Sequence, residues 1–221
     1  MSHILHIDAS ARSERSITRE LTRAFLERWL YCQPESDVTH RDIGIEPPPA
    51  ITEAWIGAAF AGDSRTESQR ALLSLSDRLI DEVAAADLIL IGAPMYNYGM
   101  PAALKAWFDQ VIRVDKTFTF DLARGDRPLE PVLTGKQVVV MASSGEFGFG
   151  PGEVNADHGH LLPHIRSCSR YLGAASFDHL AVEYQEFRDA RHEASKCAAF
   201  AAIPALVERL QAATVISRQA A

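Results

Sequence analysis

Apolar runs alternate with amphipathic segments along the chain. The run at residues 86–91 is apolar almost throughout and predicts a strand buried on both faces, as in a parallel sheet. Shorter apolar runs predict four more strands, at residues 3–7, 37–43, 137–142 and 175–182. Between them, apolar residues recur at helical spacing. Ile17, Leu21, Phe25 and Trp29 mark a first helix, and further helices are predicted near residues 55–60, 72–83, 104–112, 161–172 and 188–210.

The alternation of strands and helices predicts an α/β fold, a doubly wound parallel sheet with helices on both faces. Five strands suit the order 2-1-3-4-5, in which a ligand binds at the carboxyl ends of strands one, three and four. The chain has 221 residues and is 47% hydrophobic, and it shows no linker or repeat, so residues 1–221 are predicted to form a single domain.

Charge and composition exclude several classes of protein. The net charge of −7 argues against a nucleic-acid partner, which would need a basic stripe. No apolar run is long enough to span a membrane, and no signal peptide is evident, so a cytoplasmic location is expected. The three cysteines are widely spaced, which indicates free thiols rather than a disulfide framework or a zinc site.

The loop after the third predicted strand carries the most informative chemistry. Met95, Tyr96, Asn97 and Tyr98 follow a buried strand and precede an amphipathic helix. Adjacent polar aromatic residues are costly in a core but suit a site where they meet a planar ligand. The alternative is an aromatic loop that packs on the core or covers a sheet edge.

A hydroxyl-rich loop joins the first strand to the first helix. Ser10, Ser16 and Thr18 would stand at a helix N-terminus, where free backbone N–H groups and the helix dipole favour a phosphate. The loop contains no glycine and no Walker or dinucleotide fingerprint. The alternative is that Ser16 only caps the helix.

Two of these segments resemble the flavodoxin-like FMN-dependent NADH-azoreductases and quinone reductases of bacteria. Residues 94–109 read Pro-Met-Tyr-Asn-aromatic-Gly-x-Pro-x-x-Leu-Lys-x-Trp-x-Asp, and residues 10–18 read Ser-x-Arg-x-x-x-Ser-x-Thr. The resemblance implies a flavodoxin-like fold and non-covalently bound FMN. It places the FMN phosphate on Ser10, Ser16, Ile17 and Thr18, and the isoalloxazine beside Met95, Tyr96, Asn97 and Tyr98.

A third segment follows the fourth predicted strand and departs from the family pattern. The family has an Arg-Gly-Gly core where this chain has Ser144, Gly145 and Glu146. Hydroxyl and backbone contacts can survive without the arginine. The residues still predicted to contact the cofactor are therefore Ser143, Ser144, Gly145 and Glu146. Residues 117–120 resemble a Thr-Phe-x-aromatic segment, which makes Phe120 a candidate substrate-binding residue. An ordinary edge strand explains that segment equally well.

The resemblance implies an enzyme that uses NADH or NADPH to reduce a quinone or an azo compound in two-electron, ping-pong turnover. It implies a homodimer, to which Trp55, Phe60, Phe118 and Phe120 could supply contacts. No catalytic side chain and no metal site is predicted. His158, His160 and His164 are interpreted as loop or solvent-facing residues, and His3 and His6 as structural. A flavodoxin-type electron carrier and an FMN reductase that releases its flavin remain as alternatives.

Overall fold

A twisted parallel sheet forms the centre of the protein. The computed structural model describes residues 2–219, and the side chains of residues 2–213. Five parallel strands pair in the order β2-β1-β3-β6-β7. They are β1 (His3–Asp8), β2 (Asp37–Asp42), β3 (Leu88–Pro94), β6 (Lys136–Ser143) and β7 (Ala174–Val182). Counted within this sheet alone, the order is 2-1-3-4-5, which confirms the predicted flavodoxin-like topology.

Helices cover both faces of the sheet. Those between and after the strands are α1 (Ile17–Cys32), α2 (Glu53–Phe60), α3 (Glu67–Ala85), α4 (Ala102–Val111), α5 (Leu161–Ser169) and α6 (Ala190–Gln219). All seven residues of β3 are buried, because successive side chains point to opposite faces and both faces are covered. Ile89 and Ile91 pack towards α3, α4 and α5, whereas Leu88 and Leu90 pack towards α1 and α6.

The predicted elements differ from the observed ones mainly at their ends. Helix α3 begins at Glu67, five residues before the first apolar residue that predicted it, because Thr66 and Gln69 form a capping box. The last turn of the helix predicted at 161–172 is a 3-10 helix over Arg170–Leu172, which ends at Gly173 in the left-handed conformation. Among the described residues, no helix is both long and apolar enough to cross a membrane.

A two-stranded antiparallel ribbon lies outside the main sheet. Strand β4 (Phe118–Phe120) pairs with β5 (Leu129–Pro131), and the turn-rich segment predicted at 125–131 therefore contains a short strand. Trp55, which the sequence offered as a dimer contact, is only 7% exposed. Its indole N–H donates to Gln110 Oε1 at 3.0 Å, so the side chain packs inside its own chain rather than on the surface.

Candidate functional site

A cleft of about 1360 Å³ opens at the carboxyl edge of the main sheet. Three of its walls are the loops that follow β1, β3 and β6, as the topology requires. The fourth wall comes from the β7–α6 loop and the first turns of α6. The loops meet because five parallel strands end at the same edge of the sheet.

The loop after β1 ends at the N-terminus of α1. Ser16 is the N-cap residue, and its side chain accepts from the Arg19 backbone N–H. Its hydroxyl oxygen also lies 3.3 Å from that of Thr18. The first N–H groups of any α-helix have no carbonyl partner within the helix, so this end can bind an anion. Ser16 therefore both caps the helix and lines the cleft, and the two interpretations of this residue are compatible.

Arg19 fixes the shape of the same loop from beneath. Its Nη2 atom donates to the Ser10 carbonyl oxygen and its Nε atom to the Arg12 carbonyl oxygen, each at 2.9 Å. It is held in turn by a bidentate contact with Asp42, at 2.7 Å for both oxygens. This contact lowers the pKa of Asp42 below its ordinary value. Because Arg19 binds two carbonyls of the loop, this side chain fixes the course of the loop backbone.

Gly44, just beyond β2, is required for this arrangement. A Cβ atom at Gly44 would lie 2.0 Å from the Ser10 carbonyl oxygen, far inside van der Waals contact. The absent side chain lets the end of β2 approach the loop, and Gly44 N–H donates to the Asp8 carbonyl at 2.9 Å. The loop is thus buttressed by α1 through Arg19 and by β2 through Gly44.

A tight turn shapes the loop after β3. Tyr96 and Gly99 exchange two backbone hydrogen bonds of 3.0 Å, and the central residues Asn97 and Tyr98 both have positive φ, 47° and 66°. These are the features of a type I′ turn, which strains a tyrosine because of its Cβ. The turn places the Tyr96 hydroxyl where it accepts from Ala11 N–H at 3.2 Å. This hydrogen bond directly connects the aromatic loop after β3 to the hydroxyl-rich loop after β1.

The loop after β6 is held by the loop after β7. Gln185 N–H and Glu186 N–H donate to the carbonyls of Ser144 and Gly145, each at 3.1 Å. A Cβ at Gly145 would lie 2.7 Å from the Glu186 side chain, so this position suits glycine. The two loops form one wall of the cleft without the arginine that the family pattern has at this point.

The structure brings most of the predicted cofactor residues together. Those that line the cleft are Ser10, Ser16, Ile17, Met95, Tyr96, Ser143, Ser144 and Gly145. Thr18 is fully buried behind Ser16. Asn97, Tyr98 and Glu146 lie beyond the rim, where the Tyr98 hydroxyl donates to Glu146 Oε1 at 3.0 Å. That hydrogen bond raises the pKa of Tyr98. Their contact with a cofactor stays a prediction.

Phe120 lies apart from the cleft within this chain. It is on the β4–β5 ribbon, and 53% of the residue is exposed. The ribbon accounts for the Thr-Phe-x-aromatic segment as an ordinary strand pair, one of the two alternatives left open by the sequence. A substrate contact from Phe120 stays a prediction.

The sequence missed the wall formed by the β7–α6 loop and α6. Gln185, Glu186, Arg188, His192 and Lys196 line the cleft, yet they form no recognisable motif. Lys196 pairs with Glu20 of α1 at 2.8 Å across 176 positions of sequence. The available signal was topological, because the fifth strand of a parallel sheet also ends at the binding edge.

Comparison with known proteins gives consistent results. Residues 2–205 match the model of a family described as having a flavodoxin-like fold. The chain is 49% identical to FMN-dependent NADH:quinone oxidoreductase 2 of Colwellia psychrerythraea, over 95% of this chain and 100% of that protein. It is 38% identical to FMN-dependent NAD(P)H:quinone oxidoreductase 1 of Pseudomonas aeruginosa, covering 89% and 96% of the two chains.

Solved structures show the same fold at lower identity. An azoreductase from Bacillus anthracis superimposes with a TM-score of 0.82 at 20% identity, covering 95% of this chain and all of that one. An FMN-dependent NADH-azoreductase from the same species, in complex with FMN, gives a TM-score of 0.82 at 16% identity, over 95% and 99% of the chains.

Replacing Arg19 should destabilise the protein. Arg19→Gln leaves Asp8 and Asp42 without their cation and loses two loop hydrogen bonds, so we expect the free energy of unfolding to fall by about 3 kcal/mol. Urea denaturation at neutral pH measures it. Arg23→Gln, which changes an exposed arginine one turn along the same helix, should shift it by less than about 0.5 kcal/mol. Equal effects of the two variants would show that the Arg19 contacts do not stabilise the fold.

Proposed function

The chain belongs to the flavodoxin-like family that includes the FMN-dependent NADH:quinone oxidoreductases, and we propose that residues 1–221 act as one FMN-binding domain that reduces quinones. NADH or NADPH is the electron donor, and azo compounds are slower acceptors. The observation that carries this proposal is the cleft itself. It joins the hydroxyl-bearing N-terminus of α1 to the Met95–Tyr96 loop and the Ser143–Gly145 wall.

The residues of the cleft fit FMN in both charge and shape. Ser10 and Ser16 are 3% and 6% exposed and stand beside the positive end of α1, as a phosphate requires. Met95 and Tyr96 offer an apolar and an aromatic surface for a planar ring, while Ser143, Ser144 and Gly145 offer hydroxyl and backbone groups to its edge. The nicotinamide and then the acceptor would occupy the remaining part of the same cleft in turn.

Bound FMN would supply two-electron chemistry by accepting a hydride from the nicotinamide and passing both electrons to the acceptor. The protein's own contribution is position. Ser16 and the first turn of α1 anchor the phosphate. The hydrogen bond between Tyr96 and Ala11 fixes the distance between the loop beside the ring and the loop that holds the phosphate. Among the described residues that line the cleft, none is required as a proton donor by this geometry, so we assign no catalytic side chain.

The two alternatives fit less well. An electron carrier needs no substrate space, whereas this cleft extends past the three loops that would hold FMN to the β7–α6 loop and α6. An FMN reductase must release its flavin, whereas a capped helix N-terminus held by Arg19 and Gly44 is a preorganised anchor.

Ser16→Asp should abolish retention of FMN. Aspartate caps a helix as well as serine does, so the fold should persist, but its charge faces the phosphate. We expect FMN affinity to fall by more than about 100-fold, measured by flavin fluorescence titration. Thr52→Asp, at the N-cap of α2 outside the cleft, is the matched control and should bind FMN as the parent does. Full flavin occupancy in Ser16→Asp would place the phosphate elsewhere.

Steady-state kinetics test the reaction. With FMN-loaded protein, NADH or NADPH and benzoquinone, we expect parallel double-reciprocal lines, because donor and acceptor occupy one site in turn. A simple azo dye should give a lower kcat. Intersecting lines would contradict alternating occupancy. If neither nucleotide is oxidised with any acceptor, the carrier alternative stands, and if activity requires continuous addition of free FMN, the reductase alternative stands.

The cytoplasmic location of the protein stays a prediction.

We also propose that the protein is a homodimer with the substrate pocket near the interface. Large apolar side chains on the α2 and ribbon surfaces are exposed, among them Phe60 at 72%, Leu122 at 75% and Phe120 at 53%. Multi-angle light scattering at micromolar concentration should give twice the chain mass of 24.3 kDa. Phe60→Asp should shift the protein towards monomer, whereas Tyr31→Asp, an exposed aromatic on α1, should not. A fully active monomer would contradict the proposal.

A further inference from the structure

Two histidines and an aspartate meet on the α1 side of the sheet, behind the loop that follows β1. His6 of β1 is the register partner of His40 of β2, and their rings stack with centroids 4.5 Å apart. Asp8, two residues after His6, points to the same face because side chains alternate along a strand. The carboxylate therefore lies next to both imidazoles.

The candidate ligand atoms lie close together. Asp8 Oδ1 lies 3.3 Å from His6 Nε2, and Asp8 Oδ2 lies 3.1 Å from His40 Nε2. One ligand atom from each residue can be chosen so that all three lie within 4.8 Å of one another. A tetrahedral zinc ion with bonds of about 2.0–2.1 Å separates its ligand atoms by about 3.3 Å, and the two distances from Asp8 to the imidazole nitrogens match that separation.

One nitrogen in this group lacks a hydrogen bond. His6 is 8% exposed, and within the described part of the chain its Nε2 atom forms no hydrogen bond, although Asp8 Oδ1 lies 3.3 Å away. A buried polar nitrogen without a hydrogen bond is costly. A metal ion between His6 and Asp8 would satisfy that nitrogen.

The local charge also favours a cation. Asp8 and Asp42 carry two negative charges against the single positive charge of Arg19, which leaves one net negative charge while both imidazoles are neutral.

We propose that His6, Asp8 and His40 form a binding site for a divalent transition metal ion of the zinc class, separate from the FMN cleft. Two imidazoles and one carboxylate are ligands that zinc accepts, and a water molecule completes the set on the exposed side of His40. Arg19 and Thr22, which contact the Asp8 oxygens at 3.3 Å, orient the carboxylate. The ion links edge strand β2 to β1 beneath the anchoring loop.

Zinc titration of the FMN-loaded, metal-stripped protein tests the site. Isothermal titration calorimetry should detect zinc binding with one ion per chain at this site, and zinc should raise the melting temperature because it binds the folded state. His40→Ala should weaken that binding by more than about tenfold and remove the thermal shift, because it deletes a ligand. The half-exposed His40 side chain can be truncated without opening the core.

His164→Ala is the matched control, since it removes an exposed histidine from α5 and should bind zinc as the parent does. Zinc-edge anomalous diffraction from crystals of the FMN-loaded protein should give a peak between His6, Asp8 and His40. The proposal is overturned if the parent binds no zinc, if His40→Ala binds it as the parent does, or if the peak lies only at the cysteines or at His158–His164. Because no readout depends on turnover, failure of this proposal is independent of the oxidoreductase activity.

Discussion

The parallel alignment of five strands is the constraint on which the rest of this structure depends. It requires every connection to cross back over the sheet, so helices cover both faces and the central strand β3 is buried throughout. It also brings the carboxyl ends of all five strands to one edge. Loops that are far apart in sequence become neighbours there, and no single loop forms the cleft by itself.

The loop after β1 shows how the chain holds polar backbone in a defined shape without glycine in the loop. Neighbouring elements hold the loop in place. Arg19 of α1 donates to two carbonyls of the loop, and Gly44 allows the end of β2 to approach it. Across the cleft, the Tyr96 hydroxyl accepts a hydrogen bond from the Ala11 N–H of the loop. The anchoring site is thus a property of three elements, although its motif occupies only one.

The charge of the cleft is balanced rather than strongly basic. Arg12, Arg15 and Arg188 stand among Glu14, Glu186 and Glu193, and Lys196 is neutralised by Glu20. A site of this kind relies on oriented backbone groups for the phosphate more than on net charge, since the helix N-terminus supplies donors that need no counter-ion.

The sequence alone determined the five strands of the main sheet, the helices that cover it and their order along the chain, because burial on both faces and helical periodicity are local patterns that survive folding. It also located the two motif loops, since each motif spans fewer than twenty consecutive residues. It did not predict the pairing of β4 with β5, which joins two short segments outside that sheet. It could not show that Arg19 clamps the first loop, that α6 walls the cleft, or that Trp55 is buried against Gln110. The wall from α6 and the burial of Trp55 depend on contacts between residues tens of positions apart, and Arg19 reaches the loop while it is held by Asp42, 23 positions away. His6 and His40 illustrate the reason, because only the register between β1 and β2 places them side by side.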